Sequence, residues 1–265
     1  MSLLVKARTG RDIVSVTPQT AGWKYVGFAA HRLSPGETLS VPTGSNEICV
    51  VVLRGNVTVS AQGQVWREIG KRASVFADEA PYAVYVPAGE NATVTANTDA
   101  EIGVASAPGS NARPARLIEP HTMKRFARGK GLNTRYVCDI LPQTEPADHL
   151  LVVEVVTPSG HSSSYPPHKH DQDNAPVESS LEETYYHRLN PAQGFAFQRV
   201  YTDDRSLDEA MTVEDRDVVM VPRGYHPVIV PHGYTSYYLN VMAGPQRVWH
   251  FHNDPAHAWM LARVT

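Results

Sequence analysis

Three observations predict an all-β fold for this chain of 265 residues. First, 18 Gly and 20 Pro are spread between short apolar runs rich in Val, Tyr and Thr, which is typical of many short antiparallel strands. Second, helical periodicity is weak everywhere, and residues 117–128 form the most plausible short helix. Third, the sequence repeats itself: Val86-Pro87-Ala88-Gly89 returns as Val221-Pro222-Arg223-Gly224. We therefore expect two similar halves made of strands.

Six runs give the clearest strands in chain order. Each is apolar or β-branched, is short enough for a strand, and is bounded by turn-forming residues. They are residues 47–53, 83–86, 150–156, 184–187, 218–221 and 235–240.

The two copies of the repeat differ in length. Gly36, Ser40 and Pro42 match Gly160, Ser164 and Pro166, and we pair Glu47 with Glu183 further along. The second copy then carries about a dozen extra residues, the acidic and polar stretch 171–182, which we interpret as a long loop; whether it is a lid stays open. A cluster of Pro and Gly between the copies predicts two domains, 1–120 and 121–265.

Composition limits the classes of function. Lys and Arg number 24 against 27 Asp and Glu, so the net charge is −3, and basic residues are not clustered. This excludes an electrostatic footprint for nucleic acid or an anionic membrane and favours a small-molecule partner. Cys49 and Cys138 form no paired motif and are expected to be buried free thiols. Without a leader-like or membrane-spanning apolar stretch, we expect a cytoplasmic protein.

Four residues in the second half form a candidate metal site. His168 and His170 are two apart, so on a strand both point to the same face. Glu183 begins the next strand after the acidic stretch, and His226 follows the second Val-Pro-x-Gly turn. Three imidazoles and a carboxylate suit one divalent transition metal, which we expect to be Zn, Mn, Fe, Ni or Co, and leave open positions for substrate oxygens.

These residues lie in longer sequence motifs that resemble those of a known family. The pattern of Gly160, the two histidines, Glu183, Pro222-x-Gly224-x-His226 and Asn240 is similar to the two cupin motifs, and the repeat resembles a bicupin. Over essentially the whole chain the sequence resembles the 5-deoxy-glucuronate isomerases of myo-inositol catabolism, which are related to the 4-deoxy-L-threo-5-hexosulose-uronate ketol-isomerases. The phrases that carry this are Tyr165-Pro166-Pro167-His168-Lys169-His170-Asp171, Leu181-Glu182-Glu183-Thr184-Tyr185-Tyr186-His187, Val221-Pro222-Arg223-Gly224-Tyr225-His226-Pro227 and Trp249-His250-Phe251-His252-Asn253-Asp254-Pro255.

The resemblance implies two tandem cupin barrels and an aldose–ketose isomerase that converts 5-deoxy-glucuronate to 5-dehydro-2-deoxy-gluconate. Its metal ligands fall on His168, His170, Glu183 and His226. We prefer Glu183 to Glu182 because Glu47 begins the matching strand and because 183, 185 and 187 share one face.

The first copy departs from the metal pattern. Gly44, Asn46 and Asn91 stand where the three histidines stand in the second copy. We expect the first barrel to hold no metal and to serve packing or the contacts of a homo-oligomer. His250 and His252 form a second His-x-His pair, to which we assign a structural role in the C-terminal tail.

Isomerisation also needs a group that moves a proton and a group that binds the substrate carboxylate. The candidates for proton transfer are Lys169, Glu178, Glu182, Tyr185 and His187, and the sequence does not choose among them. Arg199 and Arg223 are candidates for the carboxylate.

Two other functions remain open at this stage. One is an Fe(II) cupin dioxygenase of a small substrate, which would take up oxygen. The other is a cupin that binds acid sugars without turnover.

Overall fold

The computed structural model describes residues 2–261, which consist almost entirely of antiparallel strands. Within residues 2–261, helical structure is confined to the four-residue helix α1, Pro18–Ala21, and to short 3₁₀ segments at Pro120–Thr122, Gly131–Asn133 and Ala258–Leu261. The strands of the first part are β1 Leu4–Val5, β2 Asp12–Val16, β3 Gly27–Leu33, β4 Thr38–Pro42, β5 Asn46–Arg54, β6 Val57–Ala61, β7 Gln64–Ile69, β8 Ala83–Val86, β9 Asn91–Ala96, β10 Ala100–Pro108 and β11 Arg116–Ile118.

The second part continues with strands β12 to β25. They are β12 Lys124–Arg128, β13 Arg135–Leu141, β14 Leu151–Thr157, β15 Ser162–Ser163, β16 His168–Lys169, β17 Asp171–Asn174, β18 Glu178–Ser180, β19 Glu182–Asn190, β20 Phe195–Tyr201, β21 Asp208–Glu214, β22 Val218–Val221, β23 Val228–Ile229, β24 Thr235–Ala243 and β25 His252–Asn253. The expected all-β class is confirmed, and the six clearest predicted strands lie in or overlap β5, β8, β14, β19, β22 and β24.

Each half pairs one large sheet with a four-stranded sheet. The first half has the order β11-β8-β5-β10-β3-β2 facing β4-β9-β6-β7, and the second has β1-β22-β19-β24-β14-β13-β12 facing β15-β23-β20-β21. The short pairs β16-β25 and β17-β18 are added to the second half. The division at residue 120 stays a prediction; β1 is in the large sheet of the second half, where Leu4 pairs with Val219.

The two large sheets pack against each other through their outer faces. Phe28 of β3 contacts Tyr186 of β19 with ring centroids 5.3 Å apart, and Arg72 forms a bidentate ion pair with Glu154 of β14 at 3.0 Å. Central strands such as β5 and β24 are therefore buried on both faces, which explains their continuous apolar runs.

The interior of the first barrel is filled by aliphatic side chains. Ile48, Val50 and Val52 point inward from β5 and pack with Val84 and Val86 of β8 and with valines of the four-stranded sheet. This interior therefore offers no polar groups from β5 to a ligand.

The register corrects the pairing of Glu47 with Glu183. Ile48 lies opposite Val86 as Glu183 lies opposite Val221, so Glu182 is the counterpart of Glu47. Both glutamates point away from their own barrel. Glu47 accepts hydrogen bonds from the main-chain N–H groups of residues 148–150 at 2.6–2.7 Å, and Glu182 accepts them from residues 24–26 at 2.7–3.0 Å. Glu47 of the first half thus anchors the segment that leads into β14, and Glu182 of the second half anchors the segment that leads into β3.

Two local expectations were wrong. The stretch 117–128 is not a helix, because β11 and β12 extend through it and are separated by a 3₁₀ turn. The stretch 171–182 is not an irregular loop but mostly the hairpin β17–β18. The expectation for the thiols is confirmed, since Cys49 and Cys138 are free and buried.

Candidate metal centre

Three buried histidines of the second barrel converge on one point. The ring nitrogens of His168, His170 and His226 lie within 4.8 Å of one another. Two ligands bonded to one ion at about 2.2 Å lie at most about 4.4 Å apart, so the cluster is close to the dimensions of a metal site. Among residues 2–261 this is the group of His, Cys, Asp and Glu side chains that meets the spacing for a metal ion.

Glu183 supplies an oxygen to the same point. Its Oε2 lies 3.1 Å from His170 Nε2 and 3.3 Å from His226 Nε2, and its side chain is 2% exposed. All four sequence-predicted ligands are therefore together inside the second barrel. The alternation along β19 turns Glu183 inward and Glu182 outward.

The imidazoles are oriented by the main chain. His170 Nδ1 lies 3.1 Å from the carbonyl oxygen of Leu181, and His226 Nδ1 lies 2.8 Å from that of Gly224. An Nδ1–H that donates to a carbonyl directs Nε2 toward the centre, as in metal-ligating histidines. His226 Nε2 is buried without a hydrogen-bond partner, although it lies near Glu183. This donor set and its unsatisfied nitrogen fit a divalent transition ion.

Burial controls the protonation of the cluster. Burial and then the charges of the other two histidines hold the pKa of His168 well below its usual value, and burial lowers the pKa of His226 to about 4. Burial also lowers the pKa of His170, but the hydrogen bond and charge of Glu183 outweigh it and the net shift is upward. The histidines without a carboxylate hydrogen bond are therefore held neutral, the form that binds metal.

A small cavity adjoins the cluster and shares two lining residues with a larger one. The smaller, of about 20 Å³, is lined by His168, Glu183, Tyr185 and Asn240, among others. The larger, of about 320 Å³, lies further along the same inner face of β13, β14 and β24. Arg128 and Trp249 line both. The small cavity has room for about one water or ion, and the larger approaches the size of a small-ligand pocket.

Of the predicted proton-transfer residues, Tyr185 lines the small cavity. Its hydroxyl lies 3.1 Å from Ser164 Oγ, and burial raises its pKa well above the usual value. His187 lies deeper, stacked on Tyr185 and hydrogen-bonded to Gln198 Oε1 at 2.9 Å, and burial lowers its pKa to about 4.

The other predicted proton-transfer residues have partners away from the cavities. Lys169 points to the opposite side from the two flanking histidines, where its Nζ lies 3.0 Å from both Asp171 and Asp203. Glu178 accepts hydrogen bonds from main-chain N–H groups of the β17–β18 hairpin, and Glu182 binds residues 24–26. These three residues stabilise the frame around the cluster.

Arg199 and Arg223 lie outside the two cavities. Arg199 follows Gln198, whose side chain points inward, so Arg199 points outward and forms a bidentate ion pair with Asp208 at 2.6–2.7 Å. Arg223 is exposed, and its guanidinium contacts Ser206 Oγ at 3.4 Å. Neither prediction fits the geometry of the site, because both side chains face away from it.

The C-terminal segment covers the cluster. Phe251 packs on His168 with ring centroids 4.7 Å apart, because β25 pairs with β16 and brings the tail over it. The histidines of the second His-x-His pair lie outside the group of converging ring nitrogens, and the main-chain groups of His250 bond to Ser179.

Sequence reasoning missed three charged residues in the cavities. Arg128 and Arg135 line the small cavity, and Asp139 lines the large one. Burial raises the pKa of Asp139, although the charges of Arg128 and Lys124 oppose the shift. The alternation of β12 and β13 carries the signal for all three. The helical interpretation of residues 117–128 concealed it for Arg128, and no strand was predicted over Arg135 and Asp139.

Comparison with known proteins gives a consistent result. The KduI/IolB family matches residues 3–260. The chain is 56% identical to the 5-deoxy-glucuronate isomerase of Geobacillus kaustophilus over 250 residues, which cover 94% of this chain and 91% of that protein. It is 51% identical to the protein of the same name from Bacillus subtilis strain 168 over 249 residues, 94% of this chain and 92% of that one.

Solved structures agree. An IolB-like protein of Salmonella typhimurium LT2 superimposes with a TM-score of 0.97 at 50% identity and covers 98% of this chain and 100% of its own. Oxalate decarboxylase of Bacillus subtilis has a TM-score of 0.64 at 12% identity, covering 98% of this chain and 83% of its own, and is similar in fold alone. Residues 2–261 contain no helix that is long and apolar enough to cross a membrane.

Proposed function

The chain belongs to the KduI/IolB family, and from this premise we propose that it is a metal-dependent isomerase that converts 5-deoxy-glucuronate to 5-dehydro-2-deoxy-gluconate. The observation that carries the proposal is the convergence of three buried imidazoles and one carboxylate, in a chain more than half identical to 5-deoxy-glucuronate isomerases. The metal dependence and the role of each residue are part of the proposal.

His168, His170, Glu183 and His226 would hold the ion. A divalent transition metal there supplies Lewis-acid stabilisation of the negative charge that develops on two neighbouring sugar oxygens. The main-chain carbonyls behind His170 and His226 fix both rings, and Glu183 contributes the negative charge that favours a cation. Imidazole and carboxylate ligands accept Zn, Mn, Fe, Ni or Co, so the donor set leaves the element open.

The reaction moves a proton from C2 to C1 of an open-chain sugar. Asp139, Asn240 and Tyr185 lie on one row across β13, β24 and β19, with Val153 of β14 between the first two. We assign the carboxylate of Asp139 as the base for the carbon-bound proton, because it has no hydrogen-bond partner among the described residues and faces the larger cavity. The hydroxyl of Tyr185 is assigned as the hydrogen-bond donor to a substrate oxygen.

The first barrel would then serve the second as a support. Its interior is aliphatic, and Glu47 anchors residues 148–150 at the start of β14, whose inward residues line the cavities. We propose the division of the chain near residue 120 on this basis. The expected homo-oligomer and the cytoplasmic location stay predictions.

Proton NMR in deuterated water tests the function directly. The protein, stripped with chelator and reloaded with each of the five metals in turn, is given 5-deoxy-glucuronate. We expect conversion to the ketose with at least one metal and none in the stripped sample. Failure with all five metals would refute the assignment.

The same spectra separate two routes of hydrogen transfer. Incorporation of deuterium at the hydroxymethyl carbon of the product, which was C1 of the substrate, is expected for a base that exchanges its proton with solvent. Conversion without any deuterium at that carbon would contradict Asp139 as a base that exchanges its proton with solvent.

A further inference from the structure

Two arginines face each other inside the second barrel. Arg128 at the end of β12 and Arg135 at the start of β13 are directly opposite in the antiparallel register. Both side chains line the small cavity beside His168 and Glu183. Like charges directly opposite on neighbouring strands destabilise a sheet, so this arrangement needs a compensating interaction.

No carboxylate of residues 2–261 forms an ion pair with either arginine, although the charge of Arg128 does act on Asp139. Arg135 is 8% exposed, and its hydrogen bonds, at 3.0 and 3.2 Å, go to the main-chain and side-chain oxygens of Asn133. Arg128 forms no ion pair within the described part of the chain and instead lies over the rings of Trp249 and Phe251, 5.5 and 5.9 Å from their centroids. Burial lowers the pKa of Arg135; Tyr238 opposes this shift, and the charge of Arg128 adds to it.

Two other arginines in the interior are neutralised by carboxylates. Arg72 is paired with Glu154, and Arg188 contacts both Glu101 and Asp215 at 2.8 Å. Arg135, which is buried without an ion pair, is therefore an exception to the usual rule that buried charges are paired, and the partly exposed Arg128 lies beside it without neutralising it.

The remaining unsatisfied groups on the small cavity are also donors. Asn240 Nδ2 and Trp249 Nε1 are buried and have no hydrogen-bond partner, and both residues line this cavity. A ligand that satisfies two guanidinium groups, an amide N–H and an indole N–H must present several acceptor oxygens and a negative charge. A planar carboxylate matches the guanidinium fork and accepts two parallel hydrogen bonds.

We propose that Arg128 and Arg135 bind the carboxylate of an open-chain sugar acid, while Asn240 and Trp249 donate to its neighbouring oxygens. This inference rests on the proposed function and specifies how the same site selects acid sugars over neutral ones. The larger cavity, which shares Arg128 and Trp249 with the small one, provides room for the remaining carbons of the sugar acid. The carboxylate end would thus fix the position of the sugar relative to the histidines.

Equilibrium binding to the metal-loaded protein tests the proposal without turnover. Gulonate is a six-carbon open-chain acid without an aldehyde, and glucitol is its neutral counterpart with a hydroxymethyl group in place of the carboxylate. Calorimetry should show that the wild-type protein binds gulonate at least about 10-fold more tightly than glucitol, the effect of charge-assisted hydrogen bonds. Arg128→Gln and Arg135→Gln should each weaken gulonate by about 10-fold or more and leave glucitol within about twofold.

Two variants serve as controls. Arg199→Gln removes an outward arginine already paired with Asp208 and should change neither affinity. Arg135→Lys keeps the positive charge but loses the planar guanidinium that forms two parallel hydrogen bonds. It should therefore bind gulonate more tightly than Arg135→Gln and less tightly than the wild-type protein. Metal content and circular dichroism of each variant show whether the site and the fold are intact. If Arg135→Gln does not fold, Arg128→Gln carries the test, because Arg128 makes no hydrogen bond to any of residues 2–261.

The outcomes separate this inference from the function. Gulonate binding that is unchanged in both Gln variants, or affinities for gulonate and glucitol that fall together, would overturn the carboxylate site. Gulonate binding that depends on both arginines supports the carboxylate site even if no isomerisation is observed. The absence of isomerisation would then refute only the proposed function.

Discussion

Exchanging each of two adjacent glutamates for glutamine should have opposite consequences for metal binding and stability. Glu183→Gln replaces an inward carboxylate that is 2% exposed and lies 3.1–3.3 Å from two imidazole nitrogens. Changes behind the ligands of a metal site already cost 10- to 100-fold in affinity, so loss of a ligand itself should weaken metal binding by about 100-fold or more. This corresponds to about 2.7 kcal/mol or more.

Glu182→Gln should instead destabilise the fold and leave the metal in place. The carboxylate of Glu182 accepts three hydrogen bonds, one from Lys24 N at Oε1 and two from Tyr25 N and Val26 N at Oε2. A glutamine keeps the two at its remaining oxygen, but its NH₂ group faces the third N–H. Losing one hydrogen bond to a charged group costs about 1.5–3 kcal/mol, which lowers Tm by about 3–12 °C in a chain of this size.

Metal titration and thermal unfolding of the two variants, each measured with and without metal, decide the matter. Glu47→Gln is a matched control, because Glu47 binds residues 148–150 as Glu182 binds 24–26; it too should lower Tm and keep the metal. A variant at 182 that loses the metal, together with a variant at 183 that keeps it, would refute the inward orientation of Glu183.

Three further predictions concern other parts of the chain. Asp139→Asn should lower kcat by about 100-fold or more while metal content stays unchanged, since general bases contribute about 10²–10⁴-fold; a variant of near wild-type kcat would contradict the role of the base. Elemental analysis of protein purified without chelator should give about one transition ion per chain, and a second stoichiometric ion would contradict the support role of the aliphatic first barrel. Burial raises the pKa of Cys49 and Cys138 to about 12, so both thiols should resist a thiol-specific reagent at pH 8 in the folded protein and react after unfolding; rapid labelling of the native protein would contradict their burial.

The fold class was predictable because it depends on local patterns. Turn residues and β-branched runs determine strands over a few positions, and the repeated Val-Pro-x-Gly turn lies in the same place in each half, at the end of β8 and of β22. The His-x-His spacing likewise determines that both rings share one face of an extended chain.

The strands β5 and β19 occupy matching places in the two halves, but which residue of β5 is equivalent to which residue of β19 was not predictable from the sequence pattern alone. Both strands are buried on both faces, so hydrophobicity does not alternate and one-residue shifts look alike. The pairing of Glu47 with Glu183 failed for this reason, although the inward direction of Glu183 followed correctly from its face shared with Tyr185.

The sequence by itself determined an all-β chain with two related halves, and it selected His168, His170, Glu183 and His226, because spacing along a strand decides which side chains share a face. Only the tertiary structure decided which charges are free to meet a ligand. Arg199 is neutralised by Asp208 on the neighbouring strand, whereas Arg128 and Arg135 lie opposite each other and form no ion pair among the described residues. Trp249, near the far end of the chain, lies over the guanidinium of Arg128. Electrostatic partners are set by distance in space, and strand pairing joins residues whose separation along the sequence says nothing about that distance.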